Sequence, residues 1–254
     1  MKRHPIQAIS FDVGGTLIDP RPSVGHVYSQ VAEEQGLGLM QHEILNRQFA
    51  VAWRSRKAFD YTRPAWAALV RETFRGLCEP EESDALFPAL YARFAEARSW
   101  HVHEDVVPTL EALGRGGMPL AVTSNWDDRL HPLLEALGLA RHFRVISVSG
   151  PIGLHKPDPR LFLRTCDALG CDPAGVLHVG DSQREDVAGA EATEAGQDLA
   201  GGGVAEDRVE APGVGVGEHL GLDPFEAGAI GGTEADGEAN ARLVVVAGQH
   251  LAVL

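Results

Sequence analysis

Two hydrophobic periodicities divide this chain. Between Pro20 and about Arg98, apolar side chains recur at spacings of three and four: Val24, Val27, Tyr28 and Val31; Leu45, Phe49, Ala52 and Trp53; Trp66, Leu69, Val70 and Phe74; Phe87, Leu90, Tyr91 and Phe94. Such spacings put each set on one face of an α-helix, so the block reads as all helical. Gly36 and Gly76 stand where helices would stop, and Pro88 is expected in the first turn of the fourth helix. Ahead of the block, Ile6, Ala8, Ile9, Phe11 and Val13 form an apolar run that reads as a buried strand.

After His101-Val102-His103, strands and helices alternate. Strands are expected over Pro119 to Thr123, Val145 to Ser149 and Gly175 to Val179. Helices are expected over Pro108 to Leu113, Asp128 to Leu137, Asp158 to Leu169 and from about Glu185 to Ala195. Gly114, Gly138 and Gly170 supply stops, and Asp158-Pro159 supplies an N-cap followed by proline at the first helical position. Successive βα units of this kind build a doubly wound parallel sheet with helices on both faces, an α/β fold. The expected division is therefore an α/β unit over 1–20 and 100–195, a helical insertion over 21–99, and a remainder over 196–254.

That remainder breaks both patterns. It holds thirteen of the 29 glycines and ten acidic residues, but only Arg208 and Arg242 as cations. It reads as a linker or disordered acidic segment. The loss of pattern after Ala195 is also what a shifted reading frame in a GC-rich gene would produce, and either origin would leave the sheet short of a last strand.

Composition narrows the partners. The 254 residues are 44% apolar, enough for a large core, and the net charge of −14 disfavours nucleic acid and anionic membranes. Cys78, Cys166 and Cys171 are odd in number and lack Cys-x-x-Cys spacing, so neither a disulfide framework nor a zinc site is indicated. No signal-peptide core precedes Asp12 and no apolar run reaches membrane-spanning length, so a cytoplasmic protein is expected. Nothing here separates a monomer from a dimer.

Chemistry gathers at the strand ends. Asp12 with Gly14-Gly15 follows the first strand, Thr123-Ser124-Asn125 the second, Lys156 lies in the loop after the third, and Asp181 with Asp186 follows the fourth. In open α/β sheets, ligands bind where these ends converge. Carboxylates, a hydroxyl, an amine and bare glycine backbone suit phosphoryl transfer through an aspartyl-phosphate: a carboxylate attacks phosphorus, and cations hold the phosphate oxygens. Oxygen-only ligands select magnesium over zinc or copper. Arginine is the usual cation of this chain, and the lysines are only Lys2, Lys57 and Lys156, of which Lys156 lies in the loop after the third strand.

Four segments in order, Phe11-Asp12-x-Gly14-Gly15-Thr16-Leu17, Val122-Thr123-Ser124-Asn125, Lys156-Pro157-Asp158-Pro159 and His178-Val179-Gly180-Asp181-Ser182-x-x-x-Asp186-x-x-Gly189-Ala190, resemble the motifs of the haloacid dehalogenase-like hydrolases. The resemblance runs from about Ile6 to Gly196. It implies a Rossmann-like core with the helical insertion as its cap, and the segments around Ser124 to Leu130 and around Tyr61 and Trp66 are most similar to the subgroup of haloacid dehalogenase-like hydrolase domain-containing protein 3. It further implies a magnesium-dependent phosphatase acting on a small phosphorylated metabolite. Asp12 would be the nucleophile and a metal ligand; the Gly14 carbonyl, Asp181 and Asp186 would complete the magnesium site. Ser124 and Lys156 would hold the transferring phosphate, with Gly15, Thr16 and Asn125 on the substrate.

One position departs from that pattern. Phosphatases of this family carry a second Asp two residues after the nucleophile, as general acid and base, where this chain has Gly14. Losing such a group costs on the order of 10² to 10⁴ in rate unless another, such as Asp19 or His26, substitutes. The opposing reading is a catalytically impaired relative that binds a phosphometabolite or a protein partner. Two lesser readings are a dehalogenase, which the retained Asp181 and Asp186 oppose, and a phosphonoacetaldehyde hydrolase using Lys57 as Schiff base. Arg54-Ser55-Arg56-Lys57 reads instead as a solvated basic face, and His101 and His103 as a hinge or surface pair.

Overall fold

The structure, a computed structural model, describes residues 5–56 and 59–193. The chain enters through β1 (Ala8–Phe11) and turns into β2 (Ile18–Pro20). Four helices follow, α1 (Val24–Glu34), α2 (His42–Arg54), α3 (Arg63–Thr73) and α4 (Pro80–Arg93), and β3 (Trp100–Val102) then returns antiparallel to β2. The remainder alternates as α5 (Val106–Arg115), β4 (Leu120–Ser124), α6 (Leu130–Ala136), β5 (Val145–Val148), α7 (Ser149–Ile152), α8 (Pro159–Leu169) and β6 (Val176–Val179).

The main sheet is parallel throughout, in the order β5-β4-β1-β6. Every residue of β1 and β4 is buried, as strands covered on both faces require. From β1 the chain steps outward to β4 and β5, then crosses back to set β6 against the other side of β1. The C-terminal ends of β1 and β6 thus flank the reversal, where an open α/β sheet leaves a crevice. Asp12 and Asp181 stand at those two ends.

Two apolar clusters form the interior. One packs Ile9, Phe11, Val122, Leu133 and Leu177 about the sheet; the other packs Tyr28, Phe49, Trp53, Phe74 and Leu86 among α1–α4, and Phe94 touches both. Full burial of a side chain such as Phe74 or Leu86 contributes roughly 1.5–3 kcal/mol, which holds the helical cluster together as α1–α4.

Several elements differ from the sequence reading for local reasons. Pro88 lies inside α4; the helix opens eight residues earlier at Pro80, where the Glu79 N–H donates to Glu82 Oε2 at 2.9 Å. α5 runs through Gly114 and reverses at Gly117, whose φ is +76°. The β2–β3 pair is too short to show alternation. His103, expected at a hinge or surface, is buried, with its Nε2 3.4 Å from Asp19 Oδ2; His101 is exposed. The turn after β6 is a π-helical stretch, Gln183–Val187, with α-helix continuing over 188–193. Lys57, residues 194–195 and the stretch over 196–254 lie outside the described residues.

Candidate active site

The site is built on the junction of β1 and β6. The Asp12 N–H donates to the Val179 carbonyl at 2.8 Å, locking the two strand ends together. Beyond Asp12, the chain turns at Gly14-Gly15, with Gly15 at φ +78° and its N–H donated to the Ile18 carbonyl at 2.9 Å. The Asp12 side chain is thereby aimed out of the sheet end.

Lys156 reaches this carboxylate from the opposite loop. Asn125 fixes the loop, its Oδ1 accepting the Lys156 N–H at 2.7 Å and its Nδ2 donating to the Lys156 carbonyl at 3.0 Å. The ammonium lies 2.8 Å from Asp12 Oδ1 and also pairs with Asp186 Oδ1. Burial alone would lower the Lys156 pKa, but Asp12 and Asp186 more than offset it and hold it above the ordinary lysine value. Burial likewise pushes Asp186 up, and Lys156 and His178 overcome that push and keep it ionised.

Asp181 is the opposite case. Burial first, then the charges of Asp12 and Asp186, push its carboxyl up to about 8. Its Oδ2 is buried and has no hydrogen-bond partner, while Asp12, Asp181 and Asp186 each offer an oxygen, all within 4.8 Å of one another. Three crowded carboxylates and an orphaned oxygen are what a hard divalent cation would satisfy.

Beneath the carboxylates runs a buried polar chain. His178 Nε2 lies 3.0 Å from Asp186 Oδ1 and His178 Nδ1 3.1 Å from Ser10 Oγ; Ser10 meets Thr123 at 2.7 Å, and Thr123 meets Thr165 at 2.9 Å. The Ser182 N–H donates to Asp186 Oδ2 at 2.9 Å. Every partner of Asp186 is thus itself fixed, which sets the carboxylate's orientation.

A cavity of about 360 Å³ opens above these groups, reaching from Asp12, Ser124 and Asp181 into the helical cluster at Tyr61 and Trp66. Trp126 lines it between the two regions. Its backbone is held at Ser149 Oγ by its N–H at 3.0 Å, and its indole packs on Trp100 with ring centroids 5.0 Å apart. A β-carbon on residue 14 would stand 3.2 Å from Trp126 Cζ3, so the indole fills the space that a side chain at Gly14 would use.

Of the residues singled out in the sequence, Asp12, Gly14, Ser124, Asn125, Asp181 and Asp186 border this one cavity, with Lys156 bridging two of its carboxylates from below. Gly15 and Thr16 do not border it; the Gly15 N–H is used in the turn. Asp19 and His26 do not border it either: Asp19 faces His103, and His26 stacks on His42 at 3.6 Å. Sequence reasoning missed His178, Trp126 and Glu185. Glu185 borders the cavity, accepts from Asn125 Nδ2 at 2.8 Å, and is raised by burial. A histidine inside the apolar strand Val176–Val179 was the available signal for His178.

The fold and these strand-end groups together define a hydrolase class, and the chain belongs to it: residues 6–193 match the model of the haloacid dehalogenase-like hydrolases. It is 33% identical over 202 residues to haloacid dehalogenase-like hydrolase domain-containing protein 3 from Mus musculus, covering 75% of this chain and 80% of that one. Phosphoserine phosphatase from Thermus thermophilus is 36% identical over 133 residues, 50% of this chain and 52% of that protein. Among solved structures, a predicted phosphoglycolate phosphatase from Haemophilus somnus superposes with a TM-score of 0.57 at 22% identity, over 76% of this chain and 84% of that one, and shares the fold. The protein is thus an enzyme of the hydrolase type with phosphatase relatives. Among the described residues, no helix is long and apolar enough to cross a membrane.

Proposed function

We propose that the protein is a magnesium-dependent phosphatase for a small phosphorylated metabolite, working through an aspartyl-phosphate on Asp12, with 1–20 and 100–195 as core and 21–99 as cap. The observation that carries this reading is the convergence of Asp12, Asp181 and Asp186 on one cavity, with Lys156 bridging Asp12 and Asp186 beneath it. Asp12 is the nucleophile, attacking phosphorus with a carboxylate oxygen. Lys156 screens the incoming phosphate from the carboxylates that would repel it, and Ser124 donates its hydroxyl to a phosphate oxygen. Asp12, Asp181, Asp186 and the Gly14 carbonyl would hold the magnesium, whose charge neutralises the transferring group. The retained acidic triad favours this over a dehalogenase reading; Lys57, which a Schiff-base mechanism needs, lies outside the described residues.

The test is phosphate release from acetyl phosphate, whose leaving group needs little protonation. Release that requires magnesium and stops with EDTA supports the assignment. If no release above the no-enzyme rate occurs at any magnesium concentration, the impaired, ligand-binding reading replaces it.

A metal titration gives an independent check. Asp181, raised from 3.8 to about 8, keeps a proton in the metal-free fold that the unfolded chain has already lost. Because the folded state binds more protons in that window, metal-free stability should fall as pH rises from about 4 towards 8. Magnesium displaces that proton, so the rise in Tm on adding it is expected to be larger at pH 8.5 than at pH 6, which lie above and below this titration. Equal shifts at both pH values would argue against Asp181 as a ligand.

A further inference from the structure

The cavity carries two features that the phosphatase reading does not use. The first is Trp126 against Gly14, which occupies the room a proton-donating side chain at residue 14 would need. The second is the far wall. Tyr61 projects there from a backbone with φ +57°, a left-handed conformation that in a non-glycine residue persists only where the surroundings enforce it. Trp66 and Trp53 lie beside it, with ring centroids 6.2 Å from Tyr61 to Trp66 and 6.0 Å from Trp53 to Trp66. The Arg129 guanidinium sits 3.6 Å above Tyr91, tied to Asp127. Tyr61 and Trp66 meet edge to face, and with Trp53 and Trp126 they line this part of the cavity with aromatic surface that favours a flat π-system.

Resting on the phosphoryl-transfer reading, we propose that the substrates are aryl phosphates: the ring lies among Tyr61, Trp66 and Trp126, and the phosphate faces Asp12. The two features require the same thing. A phenolate departs far more readily than an alkoxide, so the site can dispense with the proton donor that Trp126 displaces. In the first step an Asp12 carboxylate oxygen forms a bond to phosphorus, and the phosphorus–aryloxy bond breaks with its electron pair leaving on the phenolic oxygen. In the second, a water oxygen attacks the aspartyl-phosphate and the carboxylate is regenerated. One water proton remains on inorganic phosphate and the other ends on the phenol, so the sum is aryl phosphate plus water to phenol plus phosphate. Residue 14 would also have assisted the second step, so the aspartyl-phosphate accumulates and the phenol appears in a burst.

The experiment compares phenyl, 4-nitrophenyl, benzyl and glycerol phosphates on the wild-type protein with magnesium, with Asp12→Asn as blank. Benzyl phosphate carries the ring but leaves as an alkoxide; glycerol phosphate lacks both. The expected result is benzyl phosphate competing against phenyl phosphate with a comparable binding constant while turning over on the order of 10² to 10⁴ times more slowly, glycerol phosphate failing to compete, and 4-nitrophenol released in a burst approaching one per site. Gly14→Asp combined with Trp126→Ala should recover benzyl phosphate turnover. Wild-type turnover of benzyl phosphate within about tenfold of phenyl phosphate overturns the proposal, and its loss in Glu185→Gln would then name Glu185 as the acid. Glycerol phosphate binding as well as phenyl phosphate overturns it too. In both cases the phosphatase reading stands, whereas no Asp12-dependent release from any substrate removes that reading itself.

Discussion

Asp12→Asn is expected to lower magnesium-dependent turnover of 4-nitrophenyl and acetyl phosphates by roughly 10⁴-fold or more while the protein stays folded. The amide is nearly isosteric with the carboxylate, so the Asp12 N–H bond to Val179 and the turn at Gly15 need not move. What is lost is the anionic oxygen that attacks phosphorus, and an amide cannot replace it. Lys156 loses one of two carboxylate partners but keeps Asp186, so its buried charge is not stranded. The stability change should therefore be small beside the kinetic one. Parallel measurements of kcat and Tm decide the matter: turnover within tenfold of wild type at matched Tm would rule out Asp12 as nucleophile, whereas a joint collapse would mean only that the variant is misfolded and would direct the test to Asp12→Glu, which keeps the charge and displaces the oxygen.

How much of this site could be read from the chain follows from what each residue does. Asp12, Ser124 and Asp181 stand at or just beyond the ends of apolar strand runs, with Asp186 in the turn that follows, and a parallel sheet brings strand ends together whatever lies between them. Lys156 stood out because it is one of three lysines in a chain that otherwise uses arginine and lies in the loop after a strand, where the resembled family carries a lysine. Residues that act by packing or through hydrogen bonds leave no such trace. His178 supports Asp186 from inside a strand, and Trp126 meets Gly14 only because the turn after β4 folds back across the turn after β1. The Trp126–Gly14 relation has no fixed sequence spacing, and the eight residues from His178 to Asp186 do not show that the two side chains meet. The same holds for the fold: long periodic helices were legible, whereas the three-residue strands β2 and β3, which join the sheet to α1–α4, carry too few residues to show a period.

Gly14 takes a different meaning in this setting. In the sequence it reads as a missing acid. In the structure its absent side chain is matched by an indole packed on Trp100 and held through Ser149, so the vacancy belongs to a built wall of the cavity. Restoring an aspartate without removing the indole would force the wall to move, and Gly14→Asp alone should gain nothing.

Lys156→Met should have the largest effect on stability. The ammonium is buried between Asp12 and Asp186, with Asp181 a third carboxylate nearby, and methionine fills much of the same volume without the charge. Removing one partner from a buried ionic cluster typically costs about 3–5 kcal/mol, because the remaining charges are left desolvated and mutually repelling. For a chain of this size that is a fall in Tm of roughly 10 °C in EDTA. Magnesium supplies a replacement cation to the same carboxylates, so the deficit should narrow when it is added. Activity should stay on the order of 10² to 10³ below wild type even then, because no donor remains on the phosphate from that side. Lys156→Arg should not rescue it: a planar fork cannot occupy the point between two carboxylates that Asn125 sets for a single ammonium through the Lys156 backbone. A Lys156→Met protein as stable as wild type in EDTA would show that the cluster is neutralised by protonation instead, and the charge balance drawn here around Asp12 would have to be abandoned.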